Sequence, residues 1–147
     1  MWKIKWLLAI LCTSCACTQS IEQSGGTNDY LKAQDLSGTA WQMDYSMEIH
    51  GDTSFRHVPK HWLRIKTFTQ ERFTFTGYDF EQKEIAGMGG GTYSLTDSIY
   101  EEQIEFHHRS DFNGTRFQGQ LYFDSLYLYQ KGKVGELILE ERWHRLD

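Results

Sequence analysis

Between Trp41 and Trp143, apolar side chains return at every second residue in one short run after another. Trp41, Met43, Tyr45 and Met47 alternate with Gln42, Asp44, Ser46 and Glu48. Leu63 and Ile65 face one way, and Arg64 and Lys66 the other. Phe73 and Phe75 follow the Gln70-Glu71 turn, and Tyr93 and Leu95 end a glycine-rich run. After Thr96-Asp97-Ser98 come Tyr100, Glu102, Ile104 and Phe106. Asn113-Gly114 marks a hairpin, since both residues tolerate positive φ. Phe117, Leu121 and Phe123 lead to Leu126 and Leu128, with Lys131-Gly132-Lys133 read as a turn before Leu137, Leu139 and Trp143. A period of two is the mark of a half-buried strand, because successive side chains leave a pleated backbone on opposite faces. With a single proline and no internal stretch of helical period, the chain reads as about eight strands. Only residues 29–36 suggest a helical turn. A meander of this kind hides its apolar face by closing on itself or by folding into two sheets. Short sequential turns favour closure. The expected fold is all-β: an antiparallel up-and-down barrel of about eight strands, with a sandwich as the alternative.

The first seventeen residues have a different character. Lys3 and Lys5 precede an apolar run from Trp6 to Leu11, followed by small residues and Cys12, Cys15 and Cys17. That order is an export signal, and its core is too short to span a bilayer as a finished helix. The segment resembles the lipobox of bacterial lipoproteins, which implies acylation of Cys15, with Cys17 the alternative; an ordinary secretory peptide cut near Ala16 is the plainer reading. All three cysteines lie in this segment, so no disulfide framework is expected. Each buried CH₂ of a lipid contributes ~0.8 kcal/mol, and several chains hold a domain at a membrane. Residues 18–28 (TQSIEQSGGTN) read as a flexible tether, leaving 29–147 as one domain. Loss of Lys3 and Lys5 with the signal lowers Lys plus Arg from 15 to 13 against 20 Asp plus Glu, a formal charge of −7. Such an acidic domain, with no basic stripe, is not a nucleic-acid partner.

Three passages carry a further resemblance. LSGTAW (36–41) lies near the G-x-W that opens the first lipocalin strand, with one more residue between Gly38 and Trp41. GGGTYSLTDSIYEEQIEFHH (89–108) is similar to a G-G-T-Y…Y-x-E-x-I-x-F hairpin, and LEERWHR (139–145) to a terminal W-x-R. Together they resemble the small lipocalin-like lipoproteins of Bacteroidota. The resemblance implies a calycin-like barrel with a small interior site, closed at one end by Arg145 over Trp41. It brings with it neither a known ligand nor an enzymatic activity.

Glu102 is the most unusual residue, because Tyr100, Ile104 and Phe106 on its strand face are expected inside. An isolated carboxylate there costs several kcal/mol unless paired or neutralised. It is either a ligand- or proton-holding group, or the structural partner of Arg145, Arg64 or a tyrosine hydroxyl. Glu141 and Arg145 carry the same ambiguity on the closing strand. The glycines at 87 and 89–91 mark a barrel corner and not a phosphate loop, for which neither a following helix nor a Lys-Ser/Thr pair is present. His107 and His108, as strand neighbours, are expected on opposite faces. His50, His57 and His61 sit in or beside a long connection without metal-site spacing. No G-x-S-x-G or domain cysteine offers a nucleophile, and Glu101-Glu102 and Glu140-Glu141 each split across a sheet.

The expected function is a non-enzymatic binding module for a small apolar or amphipathic molecule. It would be tethered to the outer membrane by its lipid alone, facing the periplasm, without metal or cofactor. Tyr45, Tyr93, Tyr100, Glu102, Phe106 and Arg145 are the expected lining. The alternative is a filled-core protein that docks an envelope protein partner. An interior volume of roughly 300 Å³ or more favours the ligand reading.

Overall fold

In the computed structural model, residues 36–146 are described. The export signal, Cys15 and Cys17, the tether, and all but Leu36 of the suggested helical turn lie outside the described residues.

Among the described residues nine antiparallel strands follow one another: β1 (Ala40–His50), β2 (Thr53–His57), β3 (Trp62–Phe68), β4 (Arg72–Asp79), β5 (Glu84–Thr96), β6 (Ile99–His107), β7 (Arg116–Phe123), β8 (Tyr127–Val134) and β9 (Leu137–Leu146). A short 3₁₀ turn, Ser110–Phe112, lies between β6 and β7. From β3 to β9 each strand pairs with the next, and β9 returns to pair with β1 from Ala40↔Leu146 to Ile49↔Ile138. The result is a closed eight-stranded up-and-down barrel of lipocalin-like topology, formed by β1 and β3 to β9. The other edge of β1 is divided. Ala40 to Gln42 pair with β3, and Ser46 to His50 pair with β2. The connection expected between the first two barrel strands therefore holds a strand of its own. All five residues of β2 are exposed, and among the described strands it pairs with β1 alone.

The barrel is filled at one end. Leu36, Trp41, Phe68, Tyr100 and Leu128 are almost completely buried there, at 0–2% exposure. Edge-to-face contacts knit the layer, with Trp41 and Phe123 at 6.1 Å and Phe68 and Tyr93 at 5.1 Å between ring centres. Burial of each such side chain contributes about 1.5–3 kcal/mol. The Trp41 indole donates to Thr39 Oγ1 at 2.7 Å, and the Tyr93 hydroxyl to the Thr69 carbonyl at 2.8 Å, so the polar tips are matched too. Arg145 lies at the rim, its guanidinium carbon 5.6 Å from the centre of the Trp41 ring.

Three register shifts set which residues face inward. The first falls between Met43 and Tyr45, where Asp44 is extra; Trp41 and Met43 point in before it, and Ser46 after it. The second, between Gly77 and Tyr78, leaves Ala86 extra on β5. At the third, Gly90 pairs with Phe106 and Gly91 with Ile104, so Glu105 is extra on β6. A bulge of this type reverses the side-chain phase downstream of it. The turn expected at Lys131-Gly132-Lys133 lies instead at Gly135 and Glu136. Gly135 takes φ +58°, while Gly132 continues β8 opposite Leu139. Leu126 belongs to the preceding turn and is exposed.

Candidate functional site

The end of the barrel opposite the filled layer holds a cavity of about 160 Å³. Its wall is apolar, made by Phe73, Phe75, Ile104, Phe117, Val134 and Leu139. Its floor is polar and charged, made by Arg64, Lys66, Glu102, Gln130 and Glu141. His107, His108 and Arg109, just before the 3₁₀ turn, stand at the mouth with Glu48 of β1.

The floor is a hydrogen-bonded chain that crosses the lumen. Lys66 on β3 donates to Glu102 Oε1 on β6 and, at 3.1 Å, to Gln130 Oε1 on β8. The Tyr100 hydroxyl donates to the same Glu102 oxygen at 2.6 Å. Gln130 Nε2 passes the chain to Glu141 Oε2 at 2.7 Å, and the Trp143 indole donates to that oxygen at 3.2 Å. Lys66 is 3% exposed and Glu102 6%, so this is an ion pair withdrawn from water, tolerable only because partners replace the lost solvation. Four rings, of Phe68, Phe73, Tyr100 and Trp143, stand 5.1–5.6 Å from the Lys66 ammonium, within the reach of cation–π attraction.

Burial raises the Glu141 carboxyl above its ordinary value, an effect opposed by the nearby Lys66 and Arg64 cations. Burial, reinforced by the Glu102 charge, holds the Tyr100 phenol well above its ordinary value, so it stays a donor. At the mouth, His107 is shifted down by burial and by its neighbour His108, which favours the neutral ring.

Of the six residues expected to line the interior, Glu102 alone borders this cavity. Tyr93 and Tyr100 are inside but belong to the packed layer beneath it, and Arg145 lies exposed beside Trp41 at the far end. Tyr45 and Phe106 are corrections. The extra residue at Asp44 turns Tyr45 to the outer surface, where Arg56 and Arg142 stack on it at 4.4 and 5.4 Å. The extra residue at Glu105 does the same to Phe106, which is 42% exposed. The same shifts bring Ser46, Glu48 and His107 to the cavity in their place. His107 and His108 were expected on opposite faces, yet their rings stack at 4.4 Å, because β6 ends at His107 and His108 has left the pleat.

Glu102 has a tyrosine hydroxyl as one partner, which was among those expected. Its cation is Lys66, and neither Arg145 nor Arg64. Lys66 and Gln130 were not anticipated as interior groups; Arg64, weighed as a partner for Glu102, lines the cavity without pairing with it. Phe68 and Trp62, two residues either side on β3, share their face and were the available signal. Among the described residues no group of three or more His, Cys, Asp or Glu side chains gathers as metal ligands would.

The glycines of β5 give the mouth its shape. A Cβ on Gly89 would stand 2.5 Å from the Phe75 ring and 3.0 Å from that of His107, so only a bare backbone lets both rings lie across the strand.

No family model and no curated protein matches this chain. Among solved structures it is similar to a de novo designed fluorescence-activating beta barrel, at 12% identity and a TM-score of 0.46, over 79% of this chain and 99% of that one.

Proposed function

We propose that this protein is a binding barrel for a small amphipathic guest, without catalysis. The observation that carries this reading is the division of the lumen: one half packed solid, the other left as a cavity with an apolar wall over a polar floor. Such a combination of apolar lining and a few convergent polar groups is the usual make-up of a ligand site. The floor carboxylates argue for holding rather than turnover. Glu102 is engaged by Lys66 and Tyr100, and Glu141 by Gln130 and Trp143, so neither is poised as a free base. At about 160 Å³ the cavity falls below the roughly 300 Å³ of a drug-sized site, so the guest is a compact one.

The export signal, the lipidated Cys15 or Cys17 and kinship with lipocalin-like envelope lipoproteins complete the proposal. In it the barrel stands off the outer membrane on its tether, facing the periplasm. Native mass spectrometry of the protein purified from its own envelope tests both parts. The expected result is a small co-purifying molecule and a mass increment of acyl chains on the N-terminal cysteine; repeated spectra of the bare chain would count against ligand carriage. The cavity's modest size also sustains the filled-core reading, in which the barrel docks an envelope protein. That reading predicts bare spectra together with a partner recovered by cross-linking.

A further inference from the structure

Among the described residues the buried charges of the lumen are hydrogen-bonded, and the half-buried cation beside them, Arg64, is not. Lys66 has Glu102 and Gln130, Glu102 has Lys66 and Tyr100, and Glu141 has Gln130 and Trp143. Arg64 lines the same cavity, flanked by the Trp62 and Phe75 rings at 5.2 and 5.4 Å. Its Nε is buried with no hydrogen-bond partner, and among the described residues no carboxylate pairs with its guanidinium. A buried donor is stable when something accepts from it, and a guanidinium wants a charged, planar acceptor.

We propose that the cavity takes a small monocarboxylate with a compact apolar body, its two oxygens on the Arg64 fork and its body against the Phe73, Phe75 and Ile104 wall. The inference rests on the ligand-binding reading above and names the class of guest. Three features select this class. The fork of guanidinium N–H groups matches a carboxylate bidentately, which an alcohol or amide does not. A single charge suits the site, because Lys66 is already engaged, Arg109 is drawn out to Asp111 at 3.0 Å, and Glu102 and Glu141 line the floor and repel a second negative charge. The volume sets the body, since an apolar cavity of about 150 Å³ holds a benzene ring. Benzoate and short branched-chain carboxylates fit that description; a long fatty acid extends beyond it.

The test is calorimetric titration of the purified full-length protein with sodium benzoate and with benzyl alcohol, its neutral counterpart in shape. Wild type, Arg64→Gln and Arg64→Lys are compared, with circular dichroism melting to establish that each is folded. Benzoate is expected to bind wild type at least tenfold more tightly than benzyl alcohol. Arg64→Gln is expected to bring the two together by weakening benzoate alone. Arg64→Lys, which keeps the charge and loses the fork, is expected to fall between, and it serves if the Gln variant does not fold. Equal binding of benzoate and benzyl alcohol to wild type, or a benzoate affinity indifferent to both substitutions, overturns the carboxylate assignment and leaves the ligand-binding reading standing. Failure of both probes overturns it too, and with bare native spectra of the envelope-purified protein it removes the ligand-binding reading as well.

Discussion

Lys66 holds the lumen's polar floor together, since its ammonium reaches two strands that are not its neighbours in the sheet. Lys66→Met removes that cation and leaves the Glu102 carboxylate buried without its counter-charge. A cost of about 3–5 kcal/mol is expected, read as a fall in the urea midpoint at neutral pH. Lys66→Met combined with Glu102→Gln takes away both charges and is expected to recover much of the loss. If the double variant is no better than the single, the two residues are not energetically a pair. Glu141 supplies a pH dependence of known sign. Its folded value lies above the ordinary value of 4.5, so the folded protein holds this proton more tightly than the unfolded chain. Stability from this group is present below about pH 4.5 and is lost as pH rises through the folded value. Glu141→Gln keeps an acceptor for Gln130 and Trp143 and has no proton to lose. Urea denaturation from pH 4 to 7 is expected to show a flatter profile for the variant than for wild type. An unchanged slope would place the dependence elsewhere. His107 contributes the opposite sign, its lowered value favouring the folded state as pH rises through 6.5.

Among the elements, β5 and its partners show what a sequence reveals and what it hides. Gly89→Ala is expected to cost about 1–3 kcal/mol by forcing Phe75 and His107 off the strand. Phe75→Leu in the same chain is expected to return part of that cost, and strict additivity in a double-mutant cycle would deny the contact. The barrel itself was legible, because alternation and turn chemistry report strands directly, and Trp41, Tyr100, Phe117 and Trp143 are all interior as their periods require. Of the site, Glu102 and Glu141 were legible as interior carboxylates and Arg64 as a group near them. An inserted residue such as Asp44 or Glu105 leaves no mark in composition, yet it exchanges the inner and outer sets of everything beyond it. Tyr45 and Phe106 went outward, and Ser46 and His107 inward, for that reason alone. Lys66 was hidden by a different cause. On β3 the apolar residues Leu63 and Ile65 are the outward set, and the charged ones enter because Glu102 and Gln130, distant in sequence, wait across the lumen. Pairing of that kind cannot be read from a local period.

At the scale of the whole molecule, closure is the property from which the others follow. Ala40 and Leu146 are direct partners, so the two ends of the barrel chain lie side by side. A circular permutant that joins Leu146 to Leu36 through a short Gly/Ser linker and opens between Gly135 and Glu136 is expected to fold. Its far-UV circular dichroism should match the parent's and its urea midpoint should lie near it; a chain that fails to fold would speak against a ring of strands. Closure also orders events in time. The strand that completes β1 is translated after every other strand of the barrel, and no shorter fragment emerging from a ribosome can seal the seam. Closure must therefore wait until β9 is available, with folding slowed by the many contacts between distant segments. Until then the long margin of β1 stays open to any passing extended peptide, a hazard a holding chaperone would relieve and a truncation within residues 137–146 would make permanent.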